Sequence, residues 1–147
     1  MSINTLSFLS VLLTAIAIGS SFAHLLELPR KIHMPAEQYL MVQQLYRGWA
    51  LLGLAVVGAL VTTIAMAIQL HDRRPPMFQL ASAAAACIGA SLILFFVFTF
   101  PANRRTENWT KLPGDWQQLR SRWEYSHAVS AGLYLLALAL LTLALLH

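Results

Sequence analysis

The sequence predicts an all-α integral membrane protein: one domain over residues 1–147, folded as a four-helix bundle. Two observations predict it. Of 147 residues, 58% are hydrophobic and only 11% are charged, whereas a soluble domain carries about 25% charged residues. Four apolar runs, near residues 6–28, 48–70, 77–100 and 127–146, have no charge in their middles. Each reaches the roughly 20 residues a helix needs to cross a bilayer.

The first run, Leu6 to Leu28, has to be told from a secretory signal. "GSSFAH" offers small residues at a cleavage-like spacing, Ser21 and Ala23, but no Lys or Arg precedes Arg30. Without a basic leader the run reads as a retained helix. The second run carries Gly48, Gly53 and Gly58, which thin one side of it. "HDRRPP" then reads as a connector, with Pro75 and Pro76 opening the third span. In that span Ala81, Ala85 and Gly89, and Ser82, Ala86 and Ala90, form small-residue ridges that allow close helix approach. Cys87 is the sole cysteine and reads as a packing residue, and "ILFFVF" at 93–98 as lipid-facing or core. The fourth run is His127 to Leu146. His33, His71 and His147 read as surface residues.

Four spans put the 1–2 and 3–4 loops on one membrane face, the loop face, and both termini with the 2–3 loop on the other, the terminal face. Arg30, Lys31, Arg47, Arg104, Arg105, Lys111, Arg120 and Arg122 fall on the loop face, against Arg73 and Arg74 on the terminal face. The positive-inside rule then makes the loop face cytoplasmic. The net charge of +4 does not indicate a nucleic-acid partner, because the bases flank spans and mix with acids and tryptophans.

The two loops share a layout. Each has a Pro after a span (Pro29, Pro101), a basic pair (Arg30–Lys31, Arg104–Arg105) and a second Pro before a helix start (Pro35, Pro113). Spans 2 and 4 are expected to begin early, near Pro35 and Asp115, with Asp115 as N-cap. "QQLYRGW" (43–49) and "QQLRSRW" (117–123) fall in those first turns, 74 residues apart. The chain therefore reads as two helix–loop–helix repeats of the same orientation.

Ionisable residues near spans are costly and mark candidate sites. His24 and Glu27 close span 1, and Glu124 and His127 open span 4, all on the loop face. Each pair is spaced i, i+3, so both groups project from one side of a helix. Two helices each presenting a carboxylate and an imidazole can enclose a metal such as iron, zinc, copper or manganese. The alternatives are two hydrogen-bonded His–Glu pairs tying helix ends together, or a general base without metal. In the last, His127 is the base, Glu124 orients it, and His24 and Glu27 complete the site. The stripe above Glu124 adds Arg120 and Gln117, and its counterpart in span 2 adds Tyr46 and Gln43, followed by Ala50 and Gly53. One half supplies charge and the other room for a ligand. Arg120 can pair with Glu124 at i, i+4, or with Tyr46 stabilise a developing oxyanion. Trp49, Trp109, Trp116 and Trp123 suit interfacial anchoring. Trp49 and Trp123, which close the repeated phrase, are also candidates to line a ligand site. Asn103, after Pro101, reads as a cap of span 3 or as a hydrogen-bonding group at its end.

The segments "AHLLELPRK", "QQLYRGW", "FPANRRTENW" and "DWQQLRSRWEYSHAV" together resemble the anthrone-oxygenase-like family of small membrane proteins, over nearly the whole chain. The resemblance implies a four-helix membrane fold, a bacterial inner-membrane setting, and Asn103, Arg120, Trp123, Glu124 and His127 as site-lining positions. Some fungal relatives oxidise a polycyclic anthrone to an anthraquinone with dioxygen and no established cofactor. The segment around His24 and Glu27 departs from the family's pattern.

The resulting expectation is an oxygenase-like oxidoreductase acting on an apolar or aromatic small molecule that arrives from the bilayer. A second is a binding protein or accessory subunit holding lipid, a metal, or a haem ligated by His24 and His127. A third is a small transporter, which at this length needs a homo-oligomer.

Overall fold

The computed structural model describes residues 1–72 and 74–146. Arg73, counted above among the bases of the terminal face, and His147, read above as a surface histidine, lie outside them. Among the described residues there is no strand.

Helix α1 (Ile3–Lys31) starts at Ser2, whose side-chain oxygen accepts the Thr5 backbone N–H at 3.2 Å. It runs past the expected end at Leu28. Pro29 stands inside its last turn and forfeits one backbone bond there, but the Ile32 N–H still reaches the Leu28 carbonyl at 3.0 Å. Those three extra residues bring Lys31 onto the helix. Helix α2 (Ala36–Gln43) follows Pro35, and two 3₁₀ turns, Gln44–Tyr46 and Trp49–Leu51, lead to α3 (Leu52–Leu70). Prolines open α4 (Pro75–Leu94). A π-helical turn, Phe95–Thr99, joins it to α5 (Phe100–Arg105). The shifted bonding of that turn lets Pro101 sit in a continuing rod, so the third span runs to Arg105 rather than ending at Phe100. Helix α6 (Trp116–Leu146) is unbroken. It begins where expected, but the Asp115 carboxylate does not cap it. Asp115 binds both Nη atoms of Arg105, at 2.7 and 2.8 Å.

Among the described residues, four helical stretches are long and apolar enough to cross a membrane: Ile3–Lys31, Trp49–Leu70, Pro75–Arg105 and Trp116–Leu146. Helix α1 packs on α3 and α6, and α4 packs on the same two, giving an up-down-up-down ring. Small residues at the centre (Ala17, Ala59, Ala84, Ala137) draw the helices together. At Gly58 a Cβ would lie 3.0 Å from Leu13 Cδ1, so α3 and α1 meet closely there and a larger residue would have to shift the Leu13 side chain. On α4 the buried line is Ala81, Ala84, Ile88 and Ser91. The expected ridges are displaced from it, with Ala86 exposed and open space at Gly89. Phe8, Leu54, Val61, Ile68 and Ile93 point outward, each well exposed. Water would not tolerate that girdle, and acyl chains would. The protein is an integral membrane protein and its surroundings are the lipid bilayer.

The repeated phrase takes two conformations. "QQLRSRW" is regular helix within α6. "QQLYRGW" is broken at Gly48, whose φ of +86° is left-handed. The position equivalent to Gly48 is Arg122, which continues its helix. Span 2 therefore does not stand up from Pro35 as one rod. Its first eight residues, α2, fold back over the loop-face end of the bundle, where Tyr39 and Gln43 are buried.

Candidate functional site

A second core lies over that end of the bundle, formed by Tyr39, Ala102, Trp109, Leu119 and Trp123. Beneath it the ionisable residues converge. Lys31 is 1% exposed and Glu124 0%. The Lys31 ammonium stands 3.1 Å from Glu124 Oε1, 3.4 Å from Glu27 Oε2 and 3.4 Å from His24 Nδ1. It also lies 4.6 Å from the centroid of the Tyr46 ring and 4.9 Å from that of Trp123, so aromatic faces replace the hydration it gives up. Tyr39 donates to Glu124 Oε1 at 2.9 Å and accepts from Gln43 Nε2 at 2.7 Å. Tyr46 donates a short hydrogen bond to Glu27. Burial, and then the charge of Glu124, raise the Tyr39 phenol well above its ordinary pKa. Burial, and then the bond to Glu27, do the same for Tyr46. Both phenols therefore remain donors.

His24 is buried with its ring against four others: Tyr46, Trp49, Trp123 and His127. Its Nδ1 is 3.6 Å from Glu27 Oε2. His127 lies 4.6 Å from His24 and 4.3 Å from Trp123, centroid to centroid. Asn103 Oδ1 accepts both indole N–H groups, from Trp123 at 2.9 Å and Trp109 at 3.2 Å. It does not cap span 3; it fixes the two rings that wall the cluster. Trp109 arrives on a costly backbone. Glu107, Asn108 and Trp109 all have left-handed φ, 49°, 55° and 59°, at roughly 1–2 kcal/mol for each residue. Bonds from Trp109 N–H to Thr106 Oγ1 and from Gln44 Nε2 to the Trp109 carbonyl hold the turn.

His24, Glu27, Glu124 and His127 thus come together as the sequence predicts; the His24–Glu27 pair stands at 3.6 Å, but the Glu124–His127 pair does not form. Glu124 does not orient His127, because its bonded oxygen serves Tyr39 and Lys31. Arg120 does not pair with Glu124. Its Nη1 donates to the Met34 carbonyl at 2.8 Å and its guanidinium lies 4.6 Å from the Trp116 ring. Gln117 is exposed and contributes nothing to the cluster, whereas Gln43 is buried in it. Gly53 is also exposed, facing open space, so it does not provide room between helices. Trp49 is 37% exposed and forms part of the rim.

The residues do not fit a metal. Among the described residues no group of three or more His, Cys, Asp or Glu could hold one, and the point between the two carboxylates belongs to an ammonium. They do not fit a haem either. Two imidazoles ligating one iron need the macrocycle between them, and the His24 and His127 rings are in contact.

Two cluster residues were not legible as such. Lys31 lies at i+7 from His24 and i+4 from Glu27, on the same stripe. The expected helix end at Pro29 hid that relation. Tyr39 lies on α2, whose fold-back has no signal in the sequence beyond Gly48.

Beside the cluster an open cleft of about 500 Å³ runs between Ala50, Phe95, Phe96 and Phe100, with Asn103 and Arg104 at its polar end. Asn103 borders both cleft and cluster. Phe95 and Phe96 of "ILFFVF" therefore form, with Phe100, the aromatic side of that cleft, with Phe96 57% exposed.

Fold and site define a class: a polytopic all-α membrane protein with a buried ionisable cluster at one membrane face. Neither a family model, nor a curated protein, nor a solved structure matches the chain.

Proposed function

We propose that the protein is a membrane oxidoreductase of the oxygenase type, acting on an apolar or aromatic molecule that arrives from the bilayer. One observation carries the reading. Lys31 is a single ammonium shared by two carboxylates, and Glu124 Oε2 is buried with no hydrogen-bond partner. The cluster holds one more carboxylate than it has cations, an arrangement suited to a general base. Glu27, with its side chain 41% exposed, is the carboxylate that meets the ligand. Glu124 stays inside, and His127 and His24 are the next stations for the proton.

The chemistry follows from that charge. A weakly acidic C–H group, as in a polycyclic ketone, gives its proton to the cluster. The carbanion, delocalised onto the ketone oxygen, is held by the Tyr46 phenol, with the buried Lys31 charge behind it. Dioxygen adds to the electron-rich carbon, is reduced to a hydroperoxide, and loss of water leaves a second carbonyl. For anthrone this converts one substrate and one dioxygen to anthraquinone and water, with no other reductant. The cleft beside Asn103 supports the apolar substrate class, as does the resemblance in "PANRRTENW" and "RWEYSHAV". The excess of bases on the loop face favours a cytoplasmic site with external termini, and the resemblance favours a bacterial inner membrane.

The test is dioxygen uptake by the purified protein in lipid nanodiscs with anthrone as probe. Uptake above the spontaneous rate is expected. It should fall at least about 100-fold in Glu27→Gln and Glu124→Gln, the scale of lost general-base catalysis, and fall in His127→Ala. Uptake at the spontaneous rate in the wild type, or wild-type uptake in all three variants, refutes the reading.

A further inference from the structure

The cluster is connected to the opposite membrane face by polar side chains that neither the packing nor the proposed reaction explains. On α1, Ser7, Ser10, Thr14, Ser21 and His24 are all buried, at spacings that keep them on the bundle-facing side. Hydroxyls inside a membrane helix usually bond the carbonyl one turn back, and here Thr62, Ser126 and Thr142 do so. Ser10, Thr14 and Thr63 do not; their oxygens are buried and find no partner among the described residues, and that of Ser91 has only the Tyr134 hydroxyl beside it. A hydroxyl at bilayer depth without a partner is a costly group that packing alone does not require.

Helix contacts place these groups in order of depth. Ser7 meets Met66 across α1 and α3, so Ser10 is level with Thr63 three residues on. Thr14 follows. Ser91 on α4 faces the Tyr134 hydroxyl on α6. The contact of His24 with His127 sets Tyr134 level with Ala17, and Ser130 level with Ser21. Each level therefore carries at least one hydroxyl, and successive levels are three or four residues apart, about 4.5–6 Å. That is the span one bridging water covers. From Ser7 to His24 the line covers about 25 Å, most of a hydrocarbon core of about 30 Å. At its far end Ser7 borders an open pocket of about 300 Å³ at the terminal face, with Asn4, Gln69 and Arg74. At its near end stand His24, Lys31 and the two carboxylates.

From this we infer that the bundle interior is a proton path, running from the terminal-face pocket through the Ser10–Thr63, Thr14 and Ser91–Tyr134 levels to the His24–His127 pair. The path supplies or drains protons for the cluster from the membrane face opposite it. It does not depend on the reaction proposed above, since any proton chemistry at the cluster could use it. The apolar exterior of the same helices insulates it from lipid.

The test is proton flux into liposomes containing the full-length protein, with pyranine inside, an outside acid pulse and valinomycin to clamp the potential. Flux several-fold above protein-free liposomes is expected. The Thr14→Val/Ser91→Ala variant keeps side-chain volume nearly unchanged and removes two buried hydroxyls of the line. It should return flux to the protein-free level. Thr63→Val is the second variant, should the first fail to fold, and should lower flux in the same direction. Wild-type flux equal to that of protein-free liposomes overturns the inference, as does undiminished flux in the folded variants. Release of trapped calcein alongside the protons would also overturn it, by showing a general leak. Because no substrate is present, dioxygen uptake and proton flux can fail independently.

Discussion

The Lys31 ammonium and the Glu124 carboxylate form an ion pair at 3.1 Å in which both side chains are almost wholly withdrawn from solvent. Such a pair adds little net stability compared with a well-packed apolar pair, but losing one partner strands the other. Lys31→Met should destabilise the protein by about 3–5 kcal/mol, read as a loss of Tm in detergent. Lys31→Met combined with Glu124→Gln should recover most of that loss. A double variant no more stable than Lys31→Met would show that the pair is not coupled as described.

Tyr39 is the link between α2 and the cluster. Tyr39→Phe keeps the ring against Trp109 and Trp116 and removes only the hydroxyl that serves Glu124 and Gln43. A loss of about 1.5–3 kcal/mol is expected, the scale of a hydrogen bond to a charged group, and chemical unfolding would measure it. A change below about 0.5 kcal/mol would mean that the phenol's bonds are replaced by water.

Asn103 should have a spectroscopic signature. With Asn103→Ala both indole N–H groups lose their acceptor. Tryptophan emission should shift, with about 1–3 kcal/mol lost. Asn103→Asp keeps an oxygen in place and should keep the wild-type emission maximum. Equal spectra for all three proteins would contradict the assigned contacts.

Two glycines should respond in opposite ways. Gly48→Ala has open space for its methyl group, yet must adopt φ +86°, so a loss of about 1–2 kcal/mol is expected. Gly53→Ala also meets nothing within 4 Å and lies in regular helix, where alanine is favoured by about 1 kcal/mol. It should be neutral or stabilising. Thermal melts of the two variants side by side separate backbone strain from packing.

The spans were readable because bilayer thickness imposes a minimum apolar length on every crossing helix, and composition alone reports it. The convergence of His24, Glu27, Glu124 and His127 was readable because spacing on a helix fixes direction, and topology fixes depth. Partners were not. Glu124 had three polar groups within reach along the sequence, yet it binds Lys31 and Tyr39, which come from a helix extension past Pro29 and from the folded-back α2. Both depend on local backbone geometry at a proline and a glycine, where propensity gives a break but no direction. Arg120 misled for the same reason: its i, i+4 neighbour was visible, whereas the Met34 carbonyl that claims it is 86 residues away.

The glycine at position 48 makes the two halves of the chain non-interchangeable. Writing "QQLRSRW" over residues 43–49 would replace that left-handed turn with a helix-continuing arginine, and α3 would extend straight through α2. Tyr39 and Gln43 would then be carried off the bundle, and Glu124 would lose its roof. A bundle built from two like hairpins would ordinarily carry two like ends. Here the left-handed glycine of the first hairpin lets that hairpin close over an end that the second, with its regular helix, cannot cover in the same way.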